Sequence, residues 1–198
     1  MKKLLTIAAF AAFTSAASAA SLTWGFGSAS LFLAKPGDTI GVAAKGFNDE
    51  IPSGAQLVLV YLGTDTSFDA TSVTAAQVVD TIAYGASGDE EESFWNPGTK
   101  TFAVTATGGY SANDWFGLAF FDGTKYTAIK DIESFDTGKI GGDLTPTVQI
   151  TDLDPTKSFS LNPAKASSDG AAAVVVPEPS VALMGLLGLG MLLKRRKA

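Results

Sequence analysis

The middle of the chain consists of short apolar runs separated by turn signals, and it lacks extended helical periodicity. Residues 56–62 (QLVLVYL) form a nearly unbroken apolar run, which predicts a central strand covered on both faces. Residues 101–107 (TFAVTAT) alternate between apolar and polar, which predicts a strand with one buried face. This pattern is typical of an all-β sandwich. We expect a single domain over residues 20–165, immunoglobulin-like or jelly-roll-like in its arrangement.

Turn signals divide the rest of this domain into strands. Asp122, Gly123 and Thr124 form a strong hairpin signal between strands predicted at residues 115–121 and 125–129. Further strands are predicted at residues 21–26, 39–43, 147–151 and 158–161, with turns at residues 35–38 and 96–98.

Two segments depart from the strand pattern. In residues 72–84 (SVTAAQVVDTIAY) apolar positions recur near helical spacing behind Ser72, a residue type that caps helices. We therefore expect one short helix there. Residues 167–176 (SSDGAAAVVV) are small and low in complexity, which predicts a linker over residues 166–176.

The amino-terminal end has the pattern of a secretory leader. A short basic start (MKK) precedes an apolar stretch over residues 4–13, which is too short to span a bilayer stably. Ala17 and Ala19 supply the small residues that a signal peptidase recognises, which predicts cleavage between Ala19 and Ala20. An uncleaved anchor is the alternative, and the short apolar stretch with its cleavage motif favours removal. We expect residues 1–19 to be a signal peptide.

The carboxyl-terminal end has three parts in order. Pro177 and Pro179 keep the backbone around Glu178 extended, because proline neither continues a helix nor donates a backbone hydrogen bond. The apolar residues 181–193 would be about 20 Å long as a helix. Because the hydrocarbon core is about 30 Å thick, they predict a short, marginal transmembrane helix. The positive-inside rule keeps the basic end cytoplasmic, and this end consists of Lys194, Arg195, Arg196 and Lys197.

The order of VPEPS, a Gly/Leu-rich apolar segment and KRRK resembles the PEP-CTERM sorting signal, which we place at residues 177–198. The resemblance implies that Pro177, Glu178 and Pro179 are recognised by an exosortase in the inner membrane. It also implies that the helix and basic end retain the chain there until processing. An ordinary membrane anchor is the alternative, but it would not require Pro-Glu-Pro. Domains ahead of this tail vary widely, so the resemblance implies nothing about the domain's own activity.

Composition excludes several kinds of chemistry. The chain has no cysteine and no histidine, which removes disulfides, Ser-His-Asp and Cys-His catalysis, and the usual zinc sites. Apart from the basic residues at the two ends, eight lysines stand against 20 acidic residues, which gives the exported part a net charge of −12. Such a surface repels phosphate backbones and suits a soluble extracellular protein, so we expect no nucleic-acid partner.

Clustered carboxylates are weak candidates for calcium, whose ligands are oxygens. Asp89, Glu90 and Glu92 belong to the densest charge of the chain, but consecutive carboxylates lack the spacing of a calcium loop, which favours a solvated loop. Residues 152–155 (DLDP) equally suit a plain turn. A glycosidase pair that combines a carboxylate of residues 90–92 with Glu133 is not selected by any spacing. We expect no enzyme activity, no resident metal and no cofactor.

Aromatic residues offer flat faces for sugar rings. Trp95 and Tyr110 lie near predicted loops and are the candidate exposed pair for glycan contact. Trp115 begins a predicted strand, and we expect it in the core. The alternative, in which most of these rings fill the core, is favoured because large aromatics are usually buried. The two remaining candidates are Trp24 and Tyr126.

Together these features predict a non-enzymatic cell-surface or extracellular-matrix protein. Its partners would be the Sec translocase, signal peptidase and an exosortase. The C-terminal helix would anchor it transiently in the inner membrane, before it reaches the envelope, the cell surface or the exterior. The alternative function is a carbohydrate-binding module for exopolysaccharide or host glycan.

Overall fold

The computed structural model describes residues 19–34, 54–84, 90–91, 94–134, 138–165, 167 and 170–175. These residues form β-strands in three sheets and contain no α-helix, so the all-β class is confirmed. The predicted strand at residues 39–43 and turn at residues 35–38 lie outside the described residues. The immunoglobulin-like or jelly-roll-like sandwich type stays a prediction.

Most predicted strands are present, with bounds shifted by one or two residues. In chain order the strands are β1 (Ala19–Gly25), β2 (Leu31–Ala34), β3 (Gln56–Gly63), β4 (Val78–Ala83), β5 (Glu90–Glu91), β6 (Phe94–Trp95), β7 (Thr99–Thr105), β8 (Asp114–Phe121), β9 (Tyr126–Thr127), β10 (Ile129–Ser134), β11 (Lys139–Leu144), β12 (Thr147–Ile150), β13 (Ser158–Leu161) and β14 (Ala172–Val175).

The three sheets have different strand orders and surround one main core. They run β13-β1-β7, β11-β10-β14-β2-β6-β5 and β12-β8-β3-β4, and β9 pairs with β8 in the third. All three sheets contribute large side chains to the main core, which removes them from water together. Representative members are Trp24 and Leu22 from the first sheet, Leu31 and Trp95 from the second, and Leu59, Phe116 and Phe120 from the third.

The unbroken apolar run in β3 arises because both of its faces are covered. β3 lies between β4 and β8, which is the central position that its apolar run predicted. Leu57 and Leu59 face the main core, whereas Val58 and Val60 pack in a second cluster with Phe68. The prediction of a central strand buried on both faces is therefore confirmed.

The predicted helix over residues 72–84 is wrong. This segment instead contains a 3-10 turn at Ala75–Gln77, and β4 follows it directly. The backbone N–H of Thr74 donates to the Gln77 side chain and caps this single turn. Ser72, the residue predicted to cap the helix, instead ends a separate 3-10 turn at Ala70–Ser72. Valine, threonine and isoleucine are β-branched and favour strands, and pairing with β3 decides the outcome in β4.

The hairpin predicted at Asp122, Gly123 and Thr124 is confirmed. One carboxylate oxygen of buried Asp122 accepts hydrogen bonds from the backbone N–H groups of Thr124 and Lys125 and from the Thr124 hydroxyl. Burial raises the pKa of Asp122, but these hydrogen bonds outweigh it and hold the pKa below its usual value. The turn thereby joins β8 to β9.

Candidate functional sites

The segment next to the sorting tail contains the strand β14 (Ala172–Val175), so the linker predicted over residues 166–176 is wrong for residues 172–175. β14 lies between β10 and β2 in the second sheet, antiparallel to β10 and parallel to β2. Ala172, Ala173 and Val174 are completely buried. The small side chains that suggested a linker fit between Phe32 and Ile140 on one face and the main core on the other. The folded domain therefore extends to Val175.

Hydrogen bonds fix the approach to β14 as well. The Ser167 hydroxyl donates to Asp131 at 2.9 Å and accepts from the backbone N–H of Ile132 at 3.3 Å. The backbone N–H of Ala172 donates to the carbonyl of Ser30 at 3.3 Å. Backbone groups that leave water need such partners, so these contacts hold Ser167 against β10 and Ala172 against the residue before β2.

The residues of the two targeting signals fall mostly outside the described residues. Those of the tail are Pro177, Glu178, Pro179, Lys194, Arg195, Arg196 and Lys197, and that of the leader is Ala17. Ala19 and Ala20 begin β1, where they are Cα partners of Thr105 and Val104. Cleavage between them would leave the rest of β1 in its sheet. Among the described residues, no helix has the length and apolar character to cross a membrane.

Trp95 is completely buried, so the expectation that it is exposed for glycan contact is wrong. Its ring meets Tyr84 edge to face at a centroid distance of 5.5 Å and Phe120 at 6.4 Å. Its indole N–H has no hydrogen-bond partner among the described residues, which is unusual for a buried donor. The ring therefore fills the core.

Tyr110 is half-buried and belongs to an aromatic cluster beside the main core. Its ring lies 5.2 Å from Tyr61, 5.6 Å from Phe102 and 5.5 Å from Phe116, all in edge or tilted contacts. Burial raises its pKa above the usual tyrosine value. These contacts occupy much of the ring, so Tyr110 is a packing residue with a partly exposed edge.

Within this cluster, Tyr61 donates its hydroxyl hydrogen bond to Asp114 at 2.7 Å. The same carboxylate oxygen of Asp114 accepts from the backbone N–H of Ser111 at 2.7 Å. The hydrogen bond to Asp114, followed by burial, raises the pKa of Tyr61 to about 12. The pair satisfies the polar groups at this edge of the core.

The three remaining aromatic candidates are held in packing contacts or lie at strand starts. Trp24 is buried, and its indole N–H donates to Asp80, which also pairs with Lys100 at 2.6 Å. Trp115 is half-buried, so the expectation that it lies in the core is met only in part. The ring of Tyr126 lies 4.9 Å from that of Phe121.

The acidic candidates do not form a cluster among the described residues. Asp89 and Glu92 lie outside those residues, and the structure describes only the backbone of Glu90. Glu133 forms an ion pair with Lys139. No group of three acidic side chains suited to a metal occurs in the described ranges.

The carboxylates of residues 152–155 organise a turn. Asp152 accepts from the backbone N–H of Asp154, and Asp154 accepts from the backbone N–H and hydroxyl of Thr156. Hydrogen bonds from Thr156 lower the pKa of Asp154. Their geometry is that of side chains that stabilise a turn.

A cleft of about 650 Å³ opens beside the carboxyl-terminal end of β1. Its lining includes the hydroxyl residues Thr23, Thr99 and Ser160, with Asn162 and Lys165 on the turn after β13. Sequence reasoning did not identify this site. Alternation in β1 and β13 marks the outward hydroxyls, but no local signal shows that these two strands are parallel neighbours.

The backbone that forms the cleft has little freedom. Gly25, also in the lining, has a φ of +120°, and a Cβ there would lie 2.3 Å from the carbonyl oxygen of Gly98. That carbonyl accepts from the backbone N–H of Phe26 at 2.8 Å. Asn162 donates from its side-chain amide to the carbonyl of Phe26 at 3.3 Å. These contacts hold β1 close to the turns that precede β7 and follow β13.

Comparison with known proteins identifies the tail. Residues 175–197 match the model of the PEP-CTERM protein-sorting motif, which confirms the resemblance at the carboxyl-terminal end. The match begins at Val175, the last residue of β14. No curated protein and no solved structure matches the chain.

Proposed function

We propose that this chain is an exported envelope or cell-surface protein that is anchored transiently by its carboxyl-terminal tail and released by an exosortase. The match to the sorting motif over residues 175–197 carries this proposal. A signal peptide over residues 1–19 supplies the export step and leaves β1 in the sheet. The domain acts without catalysis, and its net negative charge keeps it soluble outside the cell.

The experiment is an intact-mass measurement of the protein from cells with and without the exosortase. Wild type should lack the leader up to Ala19 and the tail near Pro177. Cells without the exosortase, and a Glu178→Ala variant in normal cells, should retain the tail. Glu133→Ala, which removes an exposed carboxylate outside the tail, is the matched control and should be processed normally. A chain that still carries its full tail, through KRRK and Ala198, in every strain would reduce the tail to an ordinary anchor.

The residues first considered for glycan contact do not support carbohydrate binding as a second function. Trp95 is buried and Tyr110 packs in the aromatic cluster. The cleft beside β1, which neither residue lines, is a separate candidate surface for carbohydrate binding.

A further inference from the structure

Hydroxyl side chains lie in register across the first sheet. Thr23 in β1 is the Cα partner of Ser160 in β13 and of Thr101 in β7. Ser21, two residues earlier on the same face, is the partner of Ser158. Side chains on this face are thus short and uncharged, and the row that includes Thr23 and Ser160 borders the cleft.

The Ser21–Ser158 pair and the Thr23–Ser160 pair differ in whether their hydroxyls have hydrogen-bond partners. The hydroxyls of Ser21 and Ser158 lie 2.9 Å apart and bond to each other. In the part of the chain that the structure describes, the hydroxyls of Thr23, Thr99 and Ser160 make no hydrogen bond. All three line the same cleft, so their donors and acceptors converge on a ligand-sized space.

The charges of the cleft lining and of the whole exported part bear on which ligand the cleft can bind. Among the described residues that line the cleft, Lys165 is the charged one, and the nearby Asp131 carboxylate already accepts from Ser167. The exported part as a whole carries a charge of −12, which disfavours an anionic polymer. Ala29, which is partly exposed, adds a small apolar contact to the lining. A neutral ligand with dense hydroxyls and apolar C–H faces fits this combination.

We propose that this cleft binds a neutral glycan, with Thr23, Thr99, Ser160 and Lys165 as its hydrogen-bonding groups. The volume of about 650 Å³ lies within the ordinary range for small-ligand sites and accommodates a short stretch of sugar residues. The aromatic side chains that line it, Trp24 and Phe26, are completely buried and offer no stacking face. Binding is therefore weak, with a Kd of about 1 mM per site. This proposal is independent of tail processing.

The test is an NMR titration of the full chain in zwitterionic detergent micelles, since glycosidic detergents would compete. The probes are cellohexaose, maltohexaose and mannohexaose, with hexagalacturonate as the anionic probe. At least one neutral hexasaccharide should shift the amide signals of Thr23, Thr99 and Ser160. Failure of all three to shift these signals at 10 times the expected Kd, or binding of the anionic probe alone, would overturn the proposal.

Variants locate the site. A Thr23→Val and Ser160→Ala double variant keeps similar shapes and removes two hydroxyls, so affinity should fall about tenfold. Thr147→Val, in β12 and outside the cleft, is the matched control and should bind as wild type does. If the double variant does not fold, as judged from its amide dispersion, Lys165→Ala at an exposed position serves instead. Equal weakening by Thr147→Val, or unchanged affinity in the cleft variants, would contradict the assignment.

Discussion

Ala34 and Val175 are direct Cα partners in the parallel pairing of β2 with β14. Val176 alone separates Val175 from Pro177 in the sequence. The described part of the folded domain therefore reaches the first residue of the matched sorting motif. Since β14 is an inner strand of its sheet, the last segment of the domain to be synthesised is also required to complete that sheet.

We predict that a chain ending at Val176 folds and that a chain ending at Ala171 does not reach full stability. Loss of β14 would separate β10 from β2 and leave their backbone groups without partners. The free energy of unfolding should fall by more than about 3 kcal/mol, given the lost hydrogen bonds and burial. Urea denaturation followed by far-UV circular dichroism measures it. Equal midpoints for the two truncations would show that β14 is dispensable.

Substitutions of Trp95 test whether it is a buried core residue rather than an exposed residue that contacts a ligand. Trp95→Ala should lower the free energy of unfolding by about 3–5 kcal/mol, because it empties a completely buried site next to Tyr84 and Phe120. Trp95→Phe should cost less, because it retains a ring and removes an indole N–H that no described residue accepts from. Chemical denaturation of the two variants checks the order. A Trp95→Ala protein as stable as wild type would contradict the buried placement.

The sequence was sufficient where a strand carries its own signal. The unbroken apolar run of β3 and the turn residues beside β8 act locally, and both features were predicted correctly. β14 lacked such a signal, because its small residues become a core strand only through pairing with β2, far away in the chain. β4 was misread because a capped turn at Thr74 precedes strand-forming residues.

The candidate functional sites likewise divide into those marked by a local sequence signal and those formed by tertiary pairing. The tail motif is a contiguous sequence and was recognised from the order of VPEPS, the apolar segment and KRRK. The cleft depends on the parallel register that places Thr23 beside Ser160, and tertiary pairing of this kind leaves no short-range pattern. The burial of Trp95 likewise follows from the position of β6 beside β2.

The Tyr61–Asp114 hydrogen bond predicts a dependence of stability on alkaline pH. The pKa of Tyr61 is raised to about 12 in the fold, against a usual value of about 10. Because the fold favours the neutral phenol, its contribution is fully present below about pH 10 and is lost as the pH rises through about 12. At pH 7, Tyr61→Phe should cost about 1–3 kcal/mol, since buried Asp114 loses a donor.

Denaturant titrations of wild type and Tyr61→Phe between pH 7 and pH 12 measure this contribution. The difference between the two proteins should be constant up to about pH 10 and should shrink above it. Tyr126→Phe is the matched control, because it removes a hydroxyl that makes no hydrogen bond with the described residues. Its stability should follow that of wild type. A difference that stays constant up to pH 12 would contradict the raised pKa.

The short distance between β14 and the Pro-Glu-Pro motif predicts that this spacing limits the rate at which the tail is removed. Val176 spans at most about 3.5 Å, so the folded domain lies directly beside Pro177 and restricts the approach of a processing enzyme. A six-residue Gly/Ser spacer between Val176 and Pro177 adds up to about 20 Å and should increase the rate of tail loss in pulse-labelled cells. The same spacer in a Glu178→Ala chain is the control, because its tail should remain and would reveal any cleavage of the spacer itself. An unchanged or slower rate with the spacer would show that the enzyme accepts the motif against the folded sheet.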